Sequence, residues 1–236
     1  MNVIDILIIL FVLGGAFLGF RRGVITQTVS FVGLILIFIV AYLTKDYLAF
    51  IFVKWLPFIK IDLGSVRNLV VLNVLMYELI AFGIIFSLLM ILFKYVMTFT
   101  EVFEAILKNT IVLALPIKIL GLIMGAIQYL LISVIIVILL ISPVFKVKLV
   151  KESKSSELIT EKMQDKKIFG VNIISAFDDI AAVETIDYRK HDEAELQVLD
   201  IMLQNKITNL KLIDSAVESG KLDIKNIDVV LDKYRK

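Results

Sequence analysis

Four long apolar stretches constrain this chain more than any other feature of its sequence. They cover residues 3–20, 24–43, 69–93 and 119–141. A helix needs about 20 mostly apolar residues to cross the roughly 30 Å hydrocarbon core of a bilayer. Only helices and closed barrels satisfy their backbone hydrogen bonds in lipid. The pattern predicts an all-α fold, a polytopic membrane bundle of four transmembrane helices with interfacial helices and a short-helix C-terminal tail.

Charged residues are concentrated towards the C-terminal end. Apolar residues make up 59% of the 236 residues and the mean hydropathy is +0.93, whereas soluble domains contain roughly 45–50% apolar residues. Residues 1–143 contain nine Lys or Arg residues and six Asp or Glu residues. Residues 144–236 contain sixteen Lys or Arg residues and seventeen Asp or Glu residues. We therefore predict a four-helix transmembrane domain at 1–143 and a mixed-charge, mostly helical aqueous tail at 144–236. The near-neutral tail argues against nucleic-acid binding.

Two further segments are apolar but unsuited to crossing a bilayer. Residues 47–59 are short, aromatic-rich and interrupted by Lys54 and Pro57, which favours a position at the lipid headgroups. Residues 99–110 carry charges on one helical face, a pattern typical of a second interfacial helix. The charged face consists of Glu101, Glu104 and Lys108. Pro116 predicts a kink or break before the fourth span.

The tail contains helix start and stop signals that are typical of a water-soluble protein. Asp192 and Glu195 have the spacing of a capping box ahead of apolar residues. Gly220 follows a helical run that begins at about Asn209. Two or three short helices are predicted, and whether they share a core is left open because the tail has five aromatic residues.

Glycines recur at helical spacing in two of the apolar stretches. Gly15, Gly19 and Gly23 form a stripe along the first helix, and Gly121 and Gly125 form a pair in the fourth. Glycine at this spacing lets two helix backbones approach closely in lipid. We favour ordinary packing within one bundle over an oligomer interface, because membrane helices are rich in glycine.

Among the polar residues within the apolar stretches, Glu78, Gln128 and Asn73 are the candidate intramembrane site residues. A carboxylate near the middle of a span costs roughly 2.5–3.5 kcal/mol on insertion scales, so Glu78 is expected to face a partner or a cavity. An uncharged Glu78 donating a hydrogen bond to Gln128 is the favoured interpretation. A proton or cation relay through Glu78 is the alternative. Asn73 is expected to join helices by hydrogen bonds.

Charges around the first span indicate its orientation. Asp5 lies at the start of the predicted helix, where the dipole favours a carboxylate. Arg21 and Arg22 follow the first stretch instead of preceding it, which favours a retained helix over a cleaved signal peptide. The positive-inside rule then places both termini outside the cytoplasm. Four lysines within residues 146–154 favour the opposite orientation.

Signatures of enzymes and cofactor sites are missing from the sequence. There is no Cys and one His, and no G-x-S-x-G, H-E-x-x-H or G-x-x-x-x-G-K-[ST] motif occurs. We therefore predict no catalytic residue, no metal site and no cofactor.

The order of several small motifs resembles the colicin V production protein family over residues 1–143. The matching positions are Asp5, Gly15, Gly19, Arg22-Gly23, Gln27, Ser30, Gly33, Ala41, Leu115-Pro116, Gly121 and Gly125. The resemblance implies a multi-pass protein of the bacterial cytoplasmic (inner) membrane, with an accessory or scaffold role in toxin biosynthesis and export or in envelope homeostasis. The expected partners are the lipid bilayer and either a second copy of the chain or an envelope or export protein. A small channel or transporter subunit using Glu78 is the alternative.

Overall fold

Helices dominate the computed structural model, which describes residues 2–59, 62–63, 66–67, 69–108, 111–142, 147–163, 173–183 and 191–235. The long helices are α1 (Val3–Arg22), α2 (Val24–Trp55), α3 (Leu72–Lys108) and α4 (Ile111–Ile141). The shorter ones are α5 (Lys148–Lys151), α6 (Lys154–Met163), α7 (Ile173–Val183), α8 (His191–Gln204), α9 (Leu210–Glu218) and α10 (Ile227–Leu231). A two-residue antiparallel pair, β1 (Asp62–Leu63) with β2 (Val66–Arg67), is too small to change the class. The predicted all-α membrane bundle is confirmed.

Among the described residues, four helices are long and apolar enough to cross a membrane. These candidate spans are Val3–Arg22, Val24–Trp55, Leu72–Ile106 and Leu115–Ile141. At 1.5 Å per residue, the 32 residues of α2 and the 37 residues of α3 extend about 48 and 55 Å. Both helices are therefore longer than the hydrocarbon core requires.

The two predicted interfacial helices are not separate elements. The helix predicted within residues 47–59 is the C-terminal part of α2, and the one predicted at 99–110 belongs to α3. Lys54 lies in the last turn of α2, where a cation is favourable, and Pro57 follows the end of that helix. Of the predicted kink or break at Pro116, the break is wrong, because α4 continues through this residue. A proline near the start of a helix costs few backbone hydrogen bonds.

The chain divides into two compact units. Unit 1 comprises Met1–Leu43, Gly83–Leu139 and Leu149–Glu157, and unit 2 comprises Thr44–Phe82, Leu140–Lys148 and Leu158–Lys236. Unit 2 thus joins parts of α2 and α3 to most of the C-terminal tail. The predicted domain boundary at residue 143 was drawn between a membrane part and an aqueous part. The two compact units divide the chain differently, so this boundary stays a prediction.

Unit 2 is built around one hydrophobic core that α2, α3 and the tail helices α7 to α10 share. Its most buried members include Ala49, Val53, Leu72, Leu75, Leu199, Met202, Ile213 and Leu231. The tail therefore has a core, and the apolar faces of α2 and α3 complete it. Asn209 caps α9 by accepting a hydrogen bond from the Leu212 amide at 3.0 Å, and Gly220 has a φ of +67° after that helix. The helical run predicted between these two residues is confirmed.

Candidate functional site

The glycines of α1 and α4 face each other in unit 1. A Cβ atom on Gly19 would overlap the carbonyl oxygen of Gly121, and one on Gly125 would overlap that of Gly15. The pairing runs in opposite directions along the two helices, so α1 and α4 are antiparallel here. By contrast, a Cβ on Gly14 would meet nothing within 4 Å. The backbones touch without intervening side chains, which is the close approach that glycine permits in lipid.

The α1–α2 corner consists of one residue. Gly23 has a φ of +98°, which side-chain-bearing residues rarely adopt, and its amide donates to the Gly19 carbonyl at 2.8 Å. The ideal Cβ of Gly121 would lie 2.8 Å from the Gly23 Cα. Gly23 therefore serves the turn and the contact with α4 together.

Gln128 joins α2 and α4 one turn beyond the glycine contact. Its Oε1 accepts a hydrogen bond from Gln27 Nε2 at 2.5 Å, and its Nε2 donates to Ser30 Oγ at 3.0 Å. Both glutamines are buried. The predicted partnership of Gln128 with Glu78 is wrong, because each residue has other partners. These two bonds pair Gln27 Nε2 and both polar atoms of the Gln128 amide, which would be costly to bury alone.

Glu104 caps the start of α2. Its carboxylate accepts hydrogen bonds from the backbone amides of Ile25 at 3.1 Å and Thr26 at 2.7 Å, and the side chain is fully buried. The first amides of a helix lack partners and carry a partial positive charge, so a carboxylate stabilises them. Glu104 was predicted on the charged face of a second interfacial helix, and this placement is wrong because its side chain is buried. The signal available in the sequence is that α2 follows Gly23 directly and has no capping side chain of its own.

Arg21 and Arg22 end α1 beside an open pocket of about 430 Å³ that Leu18, Glu101 and Ala105 also line. Arg22 Nε lies 3.6 Å from Glu101 Oε1, with both side chains about half exposed. An ion pair exposed to this degree contributes little to stability. The Arg21 guanidinium lies 5.9 Å from the centre of the Phe17 ring. The arrangement is compatible with the use of these arginines as topology signals.

Asp5 caps two helices in unit 1. It accepts the Asn2 amide at 2.6 Å, which closes a capping box at the start of α1. Its other oxygen accepts the Ser155 amide at 2.8 Å, in the first turn of α6. The expected helix-start position of Asp5 is confirmed, and the link to α6 is an addition that sequence analysis missed.

Glu78 lies in unit 2, where it forms a buried ion pair with Lys45. Lys45 Nζ contacts Glu78 Oε2 and also lies 2.9 Å from Asp46 Oδ1. The Glu78 and Lys45 side chains are 2% and 12% exposed. Asp46 accepts a hydrogen bond from Asn209 Nδ2 at 2.7 Å, and the Thr208 side chain lies beside Glu78. The carboxylate is thus surrounded by side chains of α2 and the tail. The partner of Glu78 was mispredicted because only residues within the apolar stretches were considered, and Lys45 lies just past the second stretch.

Two more side chains of unit 2 accept backbone amides, Glu195 just before α3 and Asn73 in the segment after α2. Glu195 of α8 accepts the amide of Val70 and, at 2.9 Å, that of Val71, both just before α3. The predicted capping box with Asp192 is wrong, because α8 begins at His191 and Glu195 points to α3. Asn73 accepts the Ile59 amide at 2.9 Å and donates to the Val70 carbonyl at 3.1 Å.

Lys221 caps the other end of α2. Its ammonium donates to the carbonyls of Val53 at 2.5 Å, Lys54 at 2.9 Å and Leu56 at 2.8 Å. The last carbonyls of a helix lack partners and attract a cation. Lys221 and Glu195 therefore attach the tail to the backbones of α2 and α3 at helix ends, where sequence analysis did not expect contacts.

The fold and these contacts define a helical membrane-bundle protein whose buried charges hold helix ends. The sequence profile of the Colicin V production protein family matches residues 4–164. The chain belongs to this family. No curated protein and no solved structure matches the chain at a significant level. The family match ends just after α6, so α7 to α10 lie beyond it.

Proposed function

We propose that this protein is a scaffold or accessory component of the bacterial cytoplasmic membrane, spanning it several times, with a role in toxin biosynthesis and export or in envelope homeostasis. The family description supports the link to toxin production. The observation that carries the scaffold role is the construction of unit 2, in which the tail core includes parts of α2 and α3. A folded domain continuous with two spans offers a fixed surface for partner proteins.

A catalytic role is not part of this proposal. The buried carboxylates Asp5, Glu104 and Glu195 accept hydrogen bonds from helix amides, and Glu78 is paired with Lys45. Groups committed in this way are poor candidates for a general acid or base, which needs a titrating group within reach of a substrate. We expect neither a metal nor another cofactor to be required.

The partner is either a second copy of the chain or another envelope or export protein. Crosslinking with mass spectrometry in native membranes tests this directly. Reproducible crosslinks from the tail helices to one protein would support a scaffold. Full complementation by a chain truncated after residue 163 would contradict it, because that chain lacks most of unit 2.

The orientation proposed from Arg21 and Arg22 puts both termini outside the cytoplasm. A reporter fused after Lys236 should then be active only if it functions on the extracytoplasmic side. Activity of a reporter that works only in the cytoplasm would reverse the orientation and support the lysines at 146–154 as the dominant signal.

A small channel or transporter subunit is the second candidate function. The observation that favours it is the buried titratable pair of Glu78 and Lys45, because ionisable groups inside membrane proteins often mark ion or proton pathways. Glu78→Gln separates the two functions, since the amide keeps hydrogen-bonding capacity and removes the titrating proton. Because this change removes one charge of the buried pair, the scaffold proposal expects a lower melting temperature, with complementation retained while the variant stays folded. Lost function with a normal thermal melt would favour translocation.

A further inference from the structure

The C-terminal part of α2 exposes an apolar face on the side opposite the tail. This face, called the Trp55 face below, consists of Leu43, Tyr47, Phe50, Ile51 and Trp55. These residues are spaced three or four apart and so lie on one side of the helix. Tyr47 and Trp55 are 78% and 75% exposed, whereas Ala49 and Val53 on the opposite side are buried in the core of unit 2. The helix is therefore apolar on both sides.

A large exposed apolar patch on a folded domain marks contact with a membrane or a protein. The Trp55 face continues an exposed stripe along the same helix, where Leu36 and Val40 lie at the same angular position in the span. In a helix that crosses a bilayer, such a stripe faces lipid. Tyr and Trp are enriched where lipid headgroups meet the acyl chains. Lys54, also exposed on this side, has a side chain long enough to reach headgroup phosphates.

The length of α2 agrees with a lipid contact that reaches its last turn. A helix of about 48 Å is slightly longer than a bilayer including its headgroups, which is about 40–45 Å thick. If Val24 lies at one membrane surface, Trp55 reaches the headgroup level of the other surface with an ordinary tilt. The last three turns of α2 therefore need not leave the membrane interface.

We propose that the Trp55 face lies against the bilayer at the level of the lipid headgroups and upper acyl chains. The tail helices pack on the other side of the same helix segment. Unit 2 is consequently a membrane-surface domain, held there by aromatic side chains in the interface, and not a domain tethered in water. This inference is independent of the scaffold and transport alternatives.

Trp55 is the one tryptophan of the chain, so its fluorescence reports on this face alone. The full-length protein is reconstituted into vesicles of phosphatidylcholine and phosphatidylglycerol that carry bromine either high or low on the acyl chains. We expect stronger quenching by the high bromine than by the low bromine, and partial protection from acrylamide in the water. The matched control is the double variant Trp55→Phe with Val229→Trp, because Val229 is exposed on α10. Its fluorescence should be quenched by acrylamide and not by either lipid.

Two outcomes would overturn the proposal. Quenching of Trp55 by acrylamide to the level of the control, with no effect of brominated lipid, would place the face in water. Protection from both kinds of quencher would mean that a protein, either a second copy or a partner, covers it.

Discussion

Replacing Glu195 with alanine tests whether the tail is fastened to α3 through a helix cap. The Glu195 carboxylate is buried and accepts the amides of Val70 and Val71, which begin the first turn leading into α3. Alanine removes both acceptors and leaves these amides without a partner from the tail. The variant should open locally at this point while the rest of the chain keeps its fold.

The size of the effect follows from the two bonds. A hydrogen bond to a charged acceptor contributes about 1.5–3 kcal/mol, and loss of a helix cap typically costs about 0.5–2 kcal/mol. Because both bonds share one carboxylate, their contributions are not additive. We expect a loss of about 2 kcal/mol, which corresponds to roughly 30-fold faster hydrogen exchange in this segment.

Hydrogen exchange followed by mass spectrometry on a peptide covering residues 69–75 measures this loss. Asp192→Ala is the control, since Asp192 is exposed on the same helix. A capping box would make the Asp192 and Glu195 variants similarly costly, whereas the observed geometry makes only Glu195 important. Unchanged exchange in Glu195→Ala, or equal acceleration in both variants, would refute the reasoning.

Two further substitutions test packing in unit 1 and titration in unit 2. Gly19→Leu should lower the yield of folded protein in detergent, because its side chain would displace Gly121. Gly14→Leu is the control and should be tolerated, because its side chain points into open space. Equal yields of the two variants would argue against the close contact between α1 and α4. Burial and the hydrogen bond to Asp200 raise the pKa of Tyr234 to about 12. The folded state then keeps a proton that the unfolded state releases near pH 10, so stability should fall between about pH 10 and 12. In thermal melts, Tyr234→Phe should lose less stability than the unmodified protein between about pH 10 and 12. An equal loss in both proteins would contradict the prediction.

The four spans could be predicted from sequence because lipid imposes a length and a hydropathy that few other environments require. The ends of α2 and α3 could not. Lys54 suggested an interruption of the apolar pattern, although a cation in the last turn of a helix is favourable. Glu104 suggested the charged face of an interfacial helix, but it caps α2 by accepting the amide of Ile25, 79 residues earlier in the chain. Periodicity shows which residues share a face and does not show what that face contacts.

The candidate site was likewise predictable in its residue types and less so in its pairings. Glycine spacing identified the close-packing positions because the physical requirement, absence of a side chain, is local. The partner of Glu78 was mispredicted because the apolar pattern of residues 69–93 identifies a span and does not show which segment packs beside it. In the structure Glu78 is in the second turn of α3, next to Lys45 and the tail. That neighbourhood depends on tail packing, which no local pattern encodes.

The distribution of buried charges distinguishes the two candidate functions further. Asp5, Glu104 and Glu195 each accept backbone amides from a different segment, so protonating any of them would weaken a helix end as well as change a charge. A relay needs a group that exchanges protons while the surrounding fold persists. Glu78 differs in its contact, because its carboxylate meets a side-chain cation, Lys45. If the protein moves protons or cations, we therefore expect Glu78 to take part. If Glu78→Gln retains function, the buried acids have a structural role, and the scaffold proposal is favoured.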